Sequence, residues 1–192
     1  VKIGGDNVFP LYSFDAAIEN APKVGIEITD FGMEHEPECI KKYYEGCATL
    51  ADMARKAASM EGVDFLSFRM EGGDPNGVNK STEELIGELK EIADAVDLPL
   101  VVCGCKNVEK DAELFSKAAE ALNGKNAVIL SAKEENYKTV GAAAGLAYKQ
   151  VVGAESAVDI NLAKQLNVLI SQLGVDSKSV VMNVGTAAVG YG

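Results

Sequence analysis

The chain has 192 residues, 18 of them basic and 29 acidic, for a formal net charge of −11, with 47% hydrophobic and 6% aromatic side chains and a single histidine. A polypeptide of this length buries roughly 70% of the surface its unfolded form exposes, so it needs no disulfide or metal staple, and its acidic balance argues against a nucleic-acid partner, whose phosphates call for clustered Lys and Arg. No apolar run approaches the roughly 20 residues that span a bilayer, and the N-terminus lacks the charged-then-apolar pattern of a secretory signal, so the expectation is a soluble, cytoplasmic protein with no membrane partner.

In chain order, Val24-Gly-Ile-Glu-Ile-Thr29 is the first short apolar run and predicts a strand. A helix is expected near 46–60, then a second strand over Phe65-Leu-Ser-Phe-Arg-Met70. From Ser81 to Val96 the residues Leu85, Ile86, Leu89, Ile92, Ala93 and Val96 fall on one helical face, and Ser81-Thr-Glu-Glu84 has the pattern of a capping box. Leu100-Val-Val-Cys103 predicts the third strand, 108–122 a helix, Ala127-Val-Ile-Leu130 the fourth strand, 136–148 another helix and Val151-Val152 the fifth strand. Asp159 is an N-cap candidate for a helix with the stripe Leu162, Leu166, Leu169, Ile170 and Leu173, ending at Gly174, where a left-handed cap would sit. Ser179-Val-Val-Met-Asn183 predicts the sixth strand. Most of these runs are apolar on both faces, as parallel strands covered by helices must be.

Alternating strand and helix implies a parallel sheet with right-handed crossovers. Strands start about every 31 residues, close to the step of an eightfold barrel of about 250 residues. The expected fold class is therefore α/β, a TIM (β/α)8-type barrel truncated to about six βα units: a single domain over 1–192 lacking the last two units. An open doubly wound sheet is the competing architecture, weakened because no Gly-x-Gly-x-x-Gly follows the first strand. The chain starts at Val1 rather than Met and stops on the run Val184–Gly192, and both ends read as cut.

Polar residues gather where each strand would end. Glu71-Gly-Gly-Asp-Pro-Asn-Gly77 brings Asp74 and Asn76, Gly104-Cys-Lys-Asn107 brings Asn107, and Ser131-Ala-Lys-Glu-Glu-Asn136 brings Glu134 and Asn136. Asp159, Asn161 and Asn183 follow the fifth and sixth strands. In a parallel barrel such loops share the rim where ligands bind, and amides and carboxylates offer hydrogen bonds there. These eight are the candidate ligand-binding residues. The competing reading makes them helix N-caps, most directly for Asp159 and, beside the candidates, Ser81.

Other constellations carry less. His35 sits in the acidic loop Glu34-His-Glu-Pro-Glu38 with no second histidine, and no Gly-x-Ser-x-Gly turn exists for a serine nucleophile. Lys133 is a Schiff-base candidate if desolvated. Cys39, Cys47, Cys103 and Cys105 lack the spacing of a zinc or iron–sulfur site, and Cys103 and Cys105 share one face if their strand runs through both. Gly141-Ala-Ala-Ala-Gly145 marks close helix-to-sheet packing or the approach of a partner subunit, while Lys110, Lys117, Lys125 and Lys138 read as solvated helix faces. No catalytic or metal-ligating residue is assigned.

Five segments carry a family resemblance: Gly4-Gly-Asp-Asn-Val-Phe-Pro-Leu-Tyr-Ser-Phe-Asp15, Glu71–Gly77, Gly104-Cys-Lys-Asn-Val-Glu-Lys-Asp111, Glu134-Glu-Asn-Tyr-Lys138 and the stretch from Ser156 to Ile170. Together they closely resemble the delta subunit of acetyl-CoA decarbonylase/synthase, the small subunit of the corrinoid iron–sulfur protein, nearly end to end and with loop order preserved. The resemblance implies a TIM-barrel subunit, not catalytic alone, that pairs with a large corrinoid iron–sulfur subunit and helps hold a cobamide at their interface. In that family the cobalt takes a methyl group from a methyl-pterin and passes it to acetyl-CoA synthase in the reductive acetyl-CoA (Wood–Ljungdahl) pathway. A methyltransferase and acetyl-CoA synthase are implied as transient partners, and the iron–sulfur cluster belongs to the large subunit, not to this chain. The family's members are longer than this chain. The Asp-x-His-x-x-Gly motif that delivers a histidine to cobalt is missing, so no protein ligand to the metal is assigned. The alternatives are a stand-alone barrel enzyme, either a pterin methyltransferase or a Schiff-base aldolase, and a purely structural scaffold subunit.

Overall fold

The computed structural model describes residues 1–4, 14, 17 and 19–185; most of the Gly4–Asp15 motif and the final run 186–192 lie outside the described residues. Six strands, β1 (Gly25–Thr29), β2 (Phe65–Arg69), β3 (Leu100–Cys103), β4 (Val128–Ala132), β5 (Val151–Glu155) and β6 (Val180–Asn183), form one sheet in which every neighbouring pair is parallel. The strand order β1-β2-β3-β4-β5-β6 decides between the two expected architectures. A doubly wound sheet needs a point where the order reverses, and here each strand is added beside its predecessor, as in a barrel.

The helices are α1 (Glu38–Tyr43), α2 (Leu50–Ala58), α3 (Thr82–Ala95), α4 (Val108–Ala121), α5 (Tyr137–Val140) and α6 (Ile160–Gln172). From α2 onward they pack in chain order, α2 on α3, α3 on α4, α4 on α5 and α5 on α6, making one layer on one face of the sheet. Ile28, Leu66, Phe68, Leu100, Val102, Ile129, Val152 and Ala154 bury there against Leu85, Leu89, Leu114, Phe115, Leu166 and Ile170. Each large apolar side chain so enclosed contributes roughly 1.5–3 kcal/mol.

Alternation along the strands sends the remaining positions to the opposite, inner face. Thr29, Arg69, Cys103, Leu130, Gly153 and Val181 stand in register across all six strands. Leu130 leans over Gly153, where a Cβ would collide with it.

Local chemistry sets the helix ends. Ser81 accepts from the Glu84 backbone N–H at 3.2 Å, and Asp159 accepts from those of Asn161 and Leu162 at 2.8 and 3.1 Å. The reciprocal capping box forms at α2, between Thr49 and Asp52. Gly174 takes the left-handed conformation expected of it, with φ +103°.

Several elements differ from expectation. The helix over 136–148 is a short α-helical turn that widens into a π-helical stretch over Gly141–Ala147. Its small residues admit the segment after α6: a Cβ on Gly145 would lie 2.6 Å from Val175 Cγ2, and one on Gly141 would lie 2.9 Å from Leu173 Cδ1. The stripe thus packs inside the chain. β5 runs three residues further than its Val-Val core because Gly153 and Ala154 pair with both neighbours, and Glu155 with Asn183 of β6, despite weak strand propensity. α1 is additional; it buries none of its residues, so it leaves no apolar stripe to read.

Gln150, wholly buried just before β5, ties two layers together. Its Oε1 accepts from the Ala127 N–H at 2.6 Å, and its Nε2 donates to the Leu122 carbonyl at 2.8 Å.

Candidate functional site

Because all six strands run the same way, the loops that follow them open on one side of the sheet; seven of the eight polar candidates lie in those loops or at their start, and Asn161 lies in the first turn of α6. Most are already engaged locally. Asp74 Oδ1 accepts from the Asn76 backbone N–H at 3.0 Å and from Asn76 Nδ2 at 3.2 Å, closing a turn of the Asx type. Asn107 caps α4 by accepting from the Lys110 N–H at 3.0 Å, Asp159 caps α6, and Asn183 Oδ1 accepts from the Gly185 N–H at 3.2 Å. Glu134 and Asn161 are exposed.

Asn136 is different. Its side chain is buried, Oδ1 accepts from the Lys133 N–H at 2.7 Å, and Nδ2 has no partner. Ser156, on the adjoining loop after β5, is 2% exposed with its hydroxyl likewise unpartnered. A buried donor left unpaired costs roughly 1–3 kcal/mol, so two on neighbouring rim loops mark the place where an incoming acceptor gains most. Ser156 was not among the sequence candidates. Its signal was only that it stands between a strand and an N-cap, as ordinary loop serines do.

The inner face beneath the rim is polar on one side. Glu27 and Arg69 form a bidentate pair, Nε to Oε1 at 2.9 Å and a terminal guanidinium nitrogen to Oε2 at 2.8 Å, and the Glu27 hydrogen bonds push the Arg69 pKa up. Ser67 Oγ lies 3.5 Å from both Glu27 Oε2 and Cys103 Sγ. Nearer the rim, Lys133 Nζ lies 3.6 Å from Glu155 Oε1. That places the Schiff-base candidate beside a carboxylate rather than among apolar side chains.

β3 ends at Cys103, so alternation stops there and the two cysteines part, contrary to the one-face expectation. Cys103 faces Ser67 inside, whereas Cys105 packs in the helix-side core. Burial pushes the thiol pKa of Cys105 up to about 11 and raises that of Cys103. Asp111 folds back from α4 so that its Oδ1 accepts from the Cys105 N–H at 2.7 Å, filling the space a side chain at Gly104 would need. Burial raises its pKa as well. Lys110 is not on a solvated face: it donates to Thr82 Oγ1 at 2.9 Å and is only 16% exposed. His35 is exposed and meets Phe31 edge-on, with centroids 5.0 Å apart. Among the described residues no three His, Cys, Asp or Glu side chains group so as to hold a metal ion, and no helix is long and apolar enough to cross a membrane.

Fold and site together define a class: a singly wound parallel β/α domain of barrel type whose polar groups collect at the C-terminal ends of its strands. The family described as CO dehydrogenase/acetyl-CoA synthase delta subunit matches residues 1–192, and the chain belongs to that family. It is 32% identical over its whole length to the acetyl-CoA decarbonylase/synthase complex subunit delta of Methanothermobacter thermautotrophicus, covering 49% of that protein. It is 32% identical to the subunit of the same name from Methanocaldococcus jannaschii, covering 47% of it, and 31% identical to that from Archaeoglobus fulgidus, covering 43%. The chain thus spans about half the length of these relatives.

Proposed function

We propose that this domain is the barrel part of a delta subunit whose strand-end rim closes over a cobamide held jointly with a large corrinoid iron–sulfur subunit. The described strands are then the first six of an eight-stranded barrel. When bound, the cobamide supplies a cobalt that carries a methyl group between a methyl-pterin and acetyl-CoA synthase. The observation that carries this reading is the pair of covered, unpartnered donors, Asn136 Nδ2 and Ser156 Oγ, on adjoining rim loops of a chain whose family resemblance runs its full length.

The residues present fit the group. A corrin is a broad apolar disc edged with carboxamides, and amide and hydroxyl donors satisfy those carboxamide oxygens without placing a fixed charge beside the ring. Asn136 keeps its Oδ1 on the Lys133 N–H while offering Nδ2, so the loop that positions it need not be rebuilt. Both donors are covered in the chain alone, so engagement includes a small opening of the loops after β4 and β5, the kind of motion that also admits and releases large protein partners. Asp74, Asn76, Glu134, Asp159, Asn161 and Asn183 line the outer rim, and Asn107 serves first as the α4 cap. Closing this rim excludes water from the enclosed face. The Schiff-base enzyme reading has less support, given the pairing of Lys133 with Glu155.

Asn136→Asp and Ser156→Ala in the reconstituted heterodimer test this directly, since the first removes the donor and keeps the acceptor. Anaerobic absorption spectra should show faster loss of the Co(I) state and weaker cobamide retention, with Asn107→Ser, which preserves the cap, behaving as wild type. Unchanged spectra and methyl-transfer rates in both donor variants would remove these residues from the site.

A further inference from the structure

The loop after β5 (156–159) has an uncommon backbone. Ala157 and Val158 in succession take left-handed conformations, with φ +46° and +70°. Of the six non-glycine residues with positive φ among those described, Val158 is the one that is β-branched, whereas Asn79 and Asn126 are of the type that tolerates this region. In the left-handed region the Cβ crowds the following carbonyl oxygen, and branching at Cβ stiffens the side chain against relief. Strain of this kind persists only where the surroundings over-determine it, and it collects at sites that bind or switch.

Side-chain packing does not supply that hold, because Val158 is 66% exposed. Backbone hydrogen bonds to the chain leaving β6 do. The Ser156 N–H donates to the Asn183 carbonyl at 3.1 Å and the Val158 N–H to the Val184 carbonyl at 2.7 Å, while the Asp159 N–H closes the turn on the Ser156 carbonyl at 3.0 Å. The loop so held encloses Ser156, which is 2% exposed and whose hydroxyl finds no partner among the described residues. Toward the loop after β4 the link is light: Lys133 Nζ lies 3.6 Å from Glu155 Oε1, a partly exposed pair of the kind that contributes little.

The closed loop therefore carries two unfavourable features, a strained valine and an orphaned hydroxyl, and both end when it opens. Ala157 and Val158 can then relax to extended backbone, and Ser156 Oγ can reach an acceptor. Loss of the Val158 bond to Val184 opposes opening, but water replaces most of that bond once the groups are exposed. We propose that residues 156–159 form a sprung lid, strained shut at Ala157 and Val158 by the backbone after β6, whose opening presents the Ser156 hydroxyl to the ligand of the proposed site. This deepens the function proposed above and rests on it for the ligand. The ligand binds the open form, so its apparent affinity scales with the fraction of loop that is open. Val158 is a positioning residue in this scheme: it touches no ligand and sets how often Ser156 is offered.

The test uses the full-length chain. Val158→Gly should raise the hydrogen-exchange protection of the amides at 158 and 159, each taken against its intrinsic rate, by roughly fivefold or more, because glycine adopts the left-handed conformation without the steric cost. In an unstrained loop the same substitution does the reverse, since glycine adds freedom to the open chain. Val158→Thr, which keeps the branched Cβ, should exchange as wild type. In the heterodimer with the large subunit, equilibrium dialysis should show the Kd for the cobamide rising in Val158→Gly by the same factor as the protection. Protection unchanged or lowered in Val158→Gly would overturn the inference. So would raised protection with an unchanged Kd, because the loop would then not gate the site. Should Ser156→Ala also hold the cobamide as tightly as wild type, the failure belongs to the proposed function, and the exchange result, read on the chain alone, still decides whether the loop is strained shut.

Discussion

Replacing Gln150 by methionine keeps the volume of a side chain with no solvent exposure but removes its three side-chain hydrogen bonds. The consequences for its partners differ. The Ala127 N–H, which donates to Gln150 Oε1 at 2.6 Å, is left without an acceptor, at a cost of about 1–3 kcal/mol for a buried orphan. The Leu122 carbonyl keeps the Lys125 N–H at 2.9 Å, so losing Nε2 removes a bond worth only about 1 kcal/mol there, together with a long, weak one to the Ala119 carbonyl at 3.4 Å. The sum is about 3 kcal/mol, or a fall in Tm of about 6–12 °C at the roughly 2–4 °C per kcal/mol expected for a domain of this size. Gln150→Glu separates hydrogen bonding from packing. At neutral pH the introduced carboxylate can still accept from Ala127 but points a second acceptor at the Leu122 carbonyl, so it should be worse than methionine. Burial raises the folded-state pKa of that carboxylate above its unfolded value, so the deficit should shrink as pH falls through that window. Thermal unfolding followed by circular dichroism at pH 7 and pH 5 measures both. A Tm shift under about 2 °C for methionine, or a glutamate variant no worse than methionine at pH 7, would refute the argument.

Glu88 carries a buried Oε2 without a partner, and burial holds its pKa above the ordinary carboxylate value. Its contribution therefore favours folding below that value and is lost as pH rises through the raised one, and Glu88→Gln should flatten the fall in urea-unfolding free energy over that window. Gly145→Ala should destabilise by about 1–3 kcal/mol through overlap with Val175. Val175→Ala should recover part of that loss in a double-mutant cycle, and strict additivity would refute the contact. Burial keeps the Cys105 thiol near a pKa of about 11, whereas Cys39 is exposed. Native iodoacetamide labelling at pH 8, read by peptide mass mapping, should modify Cys39 well before Cys105, and equal rates would contradict the structure.

What could be read ahead of the fold was what repeats locally. Apolar runs around Ile28, Phe68, Val102 and Ile129 marked strands because each sits between two covered faces, and Asp159 and Gly174 marked the ends of α6 because capping depends on residues only a few positions apart. Strand order lay beyond such reasoning, since patterning constrains faces and not neighbours, and only pairing decided between a barrel-type and a doubly wound sheet. The hydrogen bonds of Asp30 with Gly72 and Lys80 span 42 and 50 residues, and the Glu27–Arg69 pair 42, so no window along the chain contains them. Gln150 was hidden for another reason: a polar residue between Lys149 and a strand reads as a turn, and only its complete enclosure reveals a strut. At the rim, Asp74, Asn107, Asp159 and Asn183 showed their residue types plainly, but whether each serves its own backbone or a ligand depends on what its side chain already holds. That question singled out Asn136 and added Ser156.

The monotonic sheet has a bearing on how the chain assembles. Paired residues in adjoining strands are never more than 40 positions apart, from Gly25 opposite Phe65 to Val152 opposite Val180. Each new strand therefore docks on one already synthesised, and the loop closed at each step stays short, which keeps its entropic cost nearly constant from unit to unit. A polypeptide built this way can zip up from its N-terminal side as it leaves the ribosome, burying each amphipathic helix against the one before it, so that only one edge grows while the free side of β1 stays in place.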